Sequence, residues 1–159
     1  DLALTFSGDT AFLIGLVSFL TGHLGFLLAF RHRLAQGAPR SSKRTQAVAM
    51  ALLFGMLTPT VSQLWTLAGD LAPAVGVYAL VIATMAYFSW VLGSGPGVVA
   101  LRVGAVFFMG SDLILAFGRF GEAPISNGHF WVMSTYIVAQ VALALGFTAA
   151  ARHPRATHP

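Results

Sequence analysis

The segment FLIGLVSFLTGHLGFLLAF, residues 12–30, contains no Asp, Glu, Lys or Arg. It continues an apolar stretch that begins at Leu2, and the whole stretch is longer than the about 20 residues that one helix needs to cross a bilayer. We therefore predict two pieces here, the end of a helix A and a complete helix B that ends at Phe30. The break between them is expected within residues 8–15.

The composition of the whole chain agrees with a membrane environment. Hydrophobic residues make up 57% of the chain and charged residues only 9%, whereas soluble domains carry roughly 25% charged residues. The net charge of +4 comes from basic residues gathered in one loop and the tail, which is typical of membrane topology and not of a nucleic-acid groove. The absence of cysteine excludes disulfides and thiolate metal sites.

Four further apolar segments follow helix B, so the predicted fold class is all-α, a polytopic transmembrane bundle of five helices plus part of a sixth. The glycine-rich GSGPG at 93–97 is expected to be a turn. The chain opens without Met, which we interpret as a truncated start of a transmembrane domain covering 1–150, followed by a short basic tail at 151–159. The predicted helices C to F cover residues 46–67, 74–92, 98–118 and 130–150.

The distribution of Lys and Arg predicts the orientation of the bundle. Loops rich in these residues remain in the cytoplasm, and with alternating crossings the basic loop 31–44, Arg102 and the tail fall on one side. Only Arg119, close to Glu122, falls on the other. The sequence therefore predicts an integral protein of the bacterial inner membrane, with the basic loop and tail cytoplasmic.

Three ionisable residues lie inside the apolar segments: Asp9, His23 and Asp112. Such a group costs at least a few kcal/mol in a membrane span and invites a functional explanation. Counting residues from the helix ends places both carboxylates at one depth, and the same count brings Tyr78, Tyr136 and Gln140 there. The alternatives are structural: an Asp that only bonds a neighbouring helix, tyrosines that only pack, and a neutral His23 satisfied by a nearby carbonyl.

Metal-dependent and serine-dependent hydrolysis find little support in the sequence. The chain has no HExxH or paired-histidine helix spacing, so no metal and no cofactor are predicted. The GSD at 110–112 is not the GxSxG of a nucleophilic serine.

Several segments together resemble the YhhN-like family of membrane proteins, whose characterised members are lysoplasmalogenases. The resemblance is carried by SGDT at 7–10, VYALVIATM at 77–85, GAVFFMGSDLILAFGRF at 104–120 and MSTYIVAQ at 133–140. It implies a complete protein of about eight helices. The positions that match the family's motifs are Gly8, Asp9, His23, Tyr78, Ser111, Asp112, Thr135, Tyr136 and Gln140.

The family's activity implies hydrolysis of the vinyl ether of a lysophospholipid, the expected partner besides the lipid bilayer. Asp9 and Asp112 are the expected catalytic pair, with the acid and base roles left open between them. The other matching side chains, His23, Tyr78, Ser111, Thr135, Tyr136 and Gln140, would bind or orient the substrate. Two alternatives stay open: a small transporter or lipid-binding protein that uses the same cluster, and a ceramidase-like metal hydrolase.

Overall fold

The computed structural model describes the backbone of residues 2–152 and, within it, the side chains of Thr10 and of residues 12–152. A short 3₁₀ turn, Gly69–Leu71, connects the second and third of five long helices. All five are long and apolar enough to cross a membrane, which confirms the predicted polytopic α-helical fold. The helices are α1 Leu2–Ala35, α2 Lys43–Leu67, α3 Ala72–Val91, α4 Val98–Phe120 and α5 Gly128–Arg152.

The predicted break between helices A and B is wrong, because α1 is one continuous helix from Leu2 to Ala35. A glycine in a helix costs only about 1 kcal/mol relative to alanine. In lipid, interrupting the backbone hydrogen bonds costs several kcal/mol for each unsatisfied group. Glycines without an accompanying proline or polar run therefore do not end the helix.

The tightest helix pairing joins α4 to α5. A Cβ atom added to Gly104 would lie 2.7 Å from Leu143 Cγ, and one added to Gly97 would collide with the backbone of Gly146. Small residues at such interfaces allow two helix backbones to approach closely in a membrane. Around this contact lies the main apolar core, which includes Phe30, Met85, Leu101, Phe108 and Leu143.

One end of the bundle, which we call the basic end, is fastened by hydrogen bonds between its loops. The Ser41 N–H donates to the Val91 carbonyl at 2.9 Å, and the Gly93 N–H donates to the Pro39 carbonyl at 2.7 Å. The Arg102 guanidinium donates to the Leu92 carbonyl at 2.7 Å. The α1–α2 loop, the α3–α4 turn and Arg102 therefore lie together, as the charge pattern predicted.

The opposite end of the bundle carries the turn 68–71 and the loop 121–127. The beginning of the apolar part of α1 reaches this end, since the ring of Phe12 meets that of Phe120 at a centroid distance of 5.4 Å. The half-exposed rings of Trp65 and Trp131 also belong to this end. The helices thus alternate in direction across the bundle.

Candidate active site

Asp112 lies on α4 in the wall of an apolar cleft formed by α1, α2, α3 and α4. The carboxylate residue is only 8% exposed. The cleft has a volume of about 700 Å³, counting the part open to its surroundings. From Met109 to Phe120 it follows α4 for about 16 Å. Apart from Thr60, Tyr78 and Asp112, all the side chains that line the cleft are apolar.

His23 lies behind Asp112 and is fully buried, with 0% of its surface exposed. Its Nδ1 is 2.7 Å from the Phe19 carbonyl oxygen, one turn earlier in α1. Its Nε2 is 3.5 Å from Asp112 Oδ2. The ring also packs edge-on against Phe108, at a centroid distance of 4.3 Å. His23 does not line the cleft, so it supports Asp112 from the interior of the bundle.

Tyr78, on α3, is a polar residue of the cleft wall and lies beside the His23–Asp112 pair. Tyr78 and Asp112 both line the cleft, and the Tyr78 ring lies 5.6 Å from that of His23, centroid to centroid. The Tyr78 and Asp112 side chains are both buried but reach the cleft surface. The phenol therefore offers a donor beside the carboxylate.

Three buried polar atoms of this group have no hydrogen-bond partner: Asp112 Oδ2, His23 Nε2 and Tyr78 Oη. Buried polar atoms are nearly always paired in folded proteins, so a cluster of unpaired ones is unusual. In enzymes without substrate, catalytic hydrogen bonds are often long and shorten on binding. The arrangement can bind a water molecule or a small polar group at one edge of an apolar cleft, and it can transfer a proton there.

Ser111 and Thr135 were expected to contact the substrate, but the structure places both between α4 and α5. The Ser111 hydroxyl donates to the Val132 carbonyl at 3.0 Å. The Thr135 hydroxyl lies 3.1 Å from the same carbonyl and 2.7 Å from that of Trp131. Neither residue lines the cleft. Their contacts are those of side chains that join two helices.

Tyr136 and Gln140 also lie on α5, away from the cleft wall. The Tyr136 ring packs edge-on against the rings of Phe19 and Phe108, each at a centroid distance of 5.5 Å. Tyr136 thus touches the aromatic residues that surround His23. Gln140, one turn further, is half-buried. The structure therefore brings Tyr136 into the neighbourhood of the His23–Asp112 pair without placing its side chain in the cleft.

The side chains of Gly8 and Asp9 lie outside the described residues. The backbone of both belongs to α1, and from Asp9 to His23 the helix rises by about 21 Å. Because His23 contacts Asp112, the backbone of Asp9 is well separated from Asp112. The expectation that both carboxylates lie at one depth is wrong for their backbone positions, and its cause is the continuity of α1.

Metal binding finds no support in the part of the chain with described side chains, Thr10 and residues 12–152. Within it, no three His, Asp or Glu side chains come together as a metal site would require. The only carboxylate–histidine contact described there is the His23–Asp112 pair.

Sequence reasoning missed the contribution of α2, which lines the cleft through Leu53, Leu57 and Leu64 among others. These residues are indistinguishable in sequence from lipid-facing ones, because both are apolar. It also missed Phe19, whose carbonyl orients the His23 ring. The spacing of four residues between them was the available signal, since such residues are neighbours on a helix.

A multi-pass membrane bundle with a buried carboxylate–histidine pair beside an apolar cleft defines the class of this protein. A family model, described as the YhhN family, matches residues 1–147. The chain therefore belongs to the YhhN family.

Curated relatives of the chain carry the name lysoplasmalogenase. The lysoplasmalogenase TMEM86B of Sus scrofa is 34% identical over 137 residues, which are 85% of this chain and 53% of that protein. Lysoplasmalogenases of Mycobacterium bovis and Mycobacterium tuberculosis are 28% identical over 139 residues, 86% of this chain and 51% of theirs. The chain thus spans about half the length of these relatives. No solved structure matches it.

Proposed function

We propose that the chain forms the catalytic part of a membrane hydrolase that cleaves the vinyl ether bond of a lysophospholipid. The observation that carries this proposal is the buried carboxylate of Asp112 in the wall of a long apolar cleft. A hydrocarbon chain fits such a cleft because the chain would contact almost only apolar side chains. The names of the curated relatives support the choice of substrate.

The chemistry of a vinyl ether suits a protonated carboxylic acid. The bond is stable to base but reacts when an acid protonates the β-carbon of the double bond, which gives an oxocarbenium ion. Water then adds to the carbon next to oxygen, and the hemiacetal breaks down to a fatty aldehyde and the glycerophospho-headgroup. A positioned general acid contributes about 10²- to 10⁴-fold to such a step.

We assign the acid role to Asp112, which reaches the cleft. Tyr78 is assigned the role of a donor that orients the ether oxygen or the attacking water. Asp9 keeps the role of a second catalytic carboxylate as a proposal only, since its backbone lies about 21 Å along α1 from His23. An Asp9→Asn variant tests that role in the assay described below.

A lipid-binding or transport protein is the second candidate, because an apolar cleft with one polar edge also suits a lipid that is held without reaction. Turnover separates the two functions. The purified protein in detergent is given a vinyl-ether lysolipid and, in parallel, the ester analogue of the same chain length, and aldehyde is measured. Aldehyde release supports the hydrolase, whereas saturable binding without aldehyde supports the alternative.

The decisive variant is Asp112→Asn, which keeps the size of the side chain and removes the transferable proton. We expect kcat for aldehyde release to fall by about 10³-fold while the protein still inserts and purifies. Asp70→Asn is the matched control, because Asp70 is an exposed carboxylate of the turn between α2 and α3. Full activity of the Asp112 variant would contradict the assignment.

We further propose that the basic end faces the cytoplasm of a bacterial cell, with the bundle in the inner membrane. The cluster of basic residues at this end supports the orientation. Because the chain has no cysteine, one can be introduced at Ser94, exposed at the basic end, or at Ser126, exposed at the opposite end. A membrane-impermeant thiol reagent added to intact spheroplasts should label the Ser126 position alone; the reverse pattern would contradict this orientation.

A further inference from the structure

The hydrogen bond between His23 and Phe19 determines which ring nitrogen carries a hydrogen. His23 Nδ1 is 2.7 Å from the Phe19 carbonyl oxygen. A carbonyl oxygen can only accept a hydrogen bond, so Nδ1 must be the donor. In the neutral ring the other nitrogen, Nε2, then has a lone pair and no hydrogen. This unprotonated nitrogen is the one directed at Asp112.

Nε2 of His23 and Oδ2 of Asp112 are 3.5 Å apart, and both are buried without another partner. With a neutral ring and an ionised carboxylate, two acceptors would face each other. The contact is attractive only when one proton lies between them, either on the carboxyl group or on the ring. We propose that His23 and Asp112 hold a single proton between them and that His23 is a positioning residue, which keeps this proton available to Asp112 for transfer into the cleft.

The surroundings favour one proton over none or two. Without a proton the pair would be a buried negative charge, and with two it would be a buried positive charge, both costly in an apolar interior. Among the described side chains the titratable groups around the pair are Tyr78 on α3 and Tyr136 on α5. The α2 wall of the cleft adds only apolar side chains and Thr60. No described charge nearby compensates a second or a missing proton.

The positions of His23 and Asp112 indicate that the proton is transferred toward the cleft. This step rests on the proposed function. Asp112 lines the cleft and His23 lies behind it. The carboxyl O–H bond breaks as the new C–H bond forms at the β-carbon of the vinyl ether, and the electron pair of the double bond becomes that C–H bond. Water then forms a C–O bond to the oxocarbenium carbon and releases one proton to the pair. The pair begins and ends the cycle with one proton.

Two substitutions of His23 separate this role from simple packing. His23→Phe keeps an aromatic ring against Phe108 but has no nitrogen, and His23→Gln keeps polar atoms but cannot carry the proton reversibly. We expect kcat of both variants to fall by about 10²-fold with KM changed by less than about threefold. The matched control is His32→Gln, because His32 is exposed on the same helix and should leave both constants unchanged.

The outcomes are distinguishable. If the unmodified protein releases no aldehyde, the proposed function fails. If it does and either His23 variant keeps kcat within threefold, the single-proton inference fails while the proposed function stands. A rise in KM at constant kcat would likewise overturn it, since that result indicates altered binding only. Circular dichroism and a thermal transition of each variant in detergent show that a loss of kcat does not reflect unfolding.

Discussion

The two sides of α4 differ in how closely they are packed. On the side of α5, Gly104 meets Leu143 and the Ser111 hydroxyl is bonded to the neighbouring helix. On the side of α1 to α3, Asp112 lines an open apolar cleft, and its Oδ2 has no hydrogen-bond partner. Ser111 and Asp112 are adjacent in sequence, but successive residues of a helix point about 100° apart. One face of the helix therefore packs closely against α5, while the other carries the polar groups of the candidate site.

The largest effect on stability is expected from a substitution that fills the tightly packed side of α4. In Gly104→Ala the new Cβ would lie 2.7 Å from Leu143 Cγ and 3.0 Å from the Ala139 carbonyl oxygen. We expect the unfolding free energy in detergent to fall by about 1–3 kcal/mol, with activity falling in parallel with the folded fraction. Gly110→Ala is the control, because nothing lies within 4 Å of its added Cβ; an equal loss at Gly110 would disprove the packing argument.

A smaller effect is expected on the cleft side from Tyr78→Phe, which removes one hydroxyl and keeps the ring. If this hydroxyl orients the ether oxygen or water, kcat should fall roughly tenfold, which corresponds to about 1.4 kcal/mol of lost transition-state stabilisation. Thermal stability should not fall, because the hydroxyl has no hydrogen-bond partner within the described structure. Aldehyde release and the thermal transition are measured together; lower stability with unchanged kcat would assign Tyr78 to the fold.

The smallest effect is expected from Ser111→Ala, which sharpens the contrast with Asp112→Asn at the next position. Loss of the hydrogen bond to Val132 should cost about 0.5–1.5 kcal/mol of stability. The rate per folded molecule should not change, since Ser111 is absent from the cleft wall. Activity is normalised to the folded fraction from size-exclusion chromatography. A loss of kcat near that of Asp112→Asn would place Ser111 in the catalytic group after all.

Much of the fold was predictable because a helix that crosses a bilayer needs about 20 consecutive, mostly apolar residues. Helices α2 to α5 begin and end within about three residues of their predicted bounds, since charges and Gly-Pro turns mark where apolar segments leave the bilayer. The N-terminal region was not predictable in the same way. Its glycines resemble turn residues in sequence, but in an apolar environment they remain helical.

The candidate site was predictable only in part. Asp112, His23 and Tyr78 could be selected because polar side chains in an apolar segment are costly, and the structure brings these three together. His23 bonds a neighbouring carbonyl, as the structural interpretation expected, and it also contacts Asp112, while its functional role stays a prediction. A motif position does not reveal the direction of a side chain, so the placement of Ser111 and Thr135 between α4 and α5 was not predictable, and their role in substrate binding stays a prediction.

The hydrogen bonds at the basic end lie far from the cleft but connect helices that form its walls. They fasten the α1–α2 loop to the end of α3, whereas α1 and α2 supply separate walls of the cleft near the opposite end. The apolar part of α1, Phe12–Ala35, is about 36 Å long. A tilt of about 5° about the fastened end would move its far end by about 3 Å. Such a tilt would change the width of the cleft, although the fastened loops do not line it.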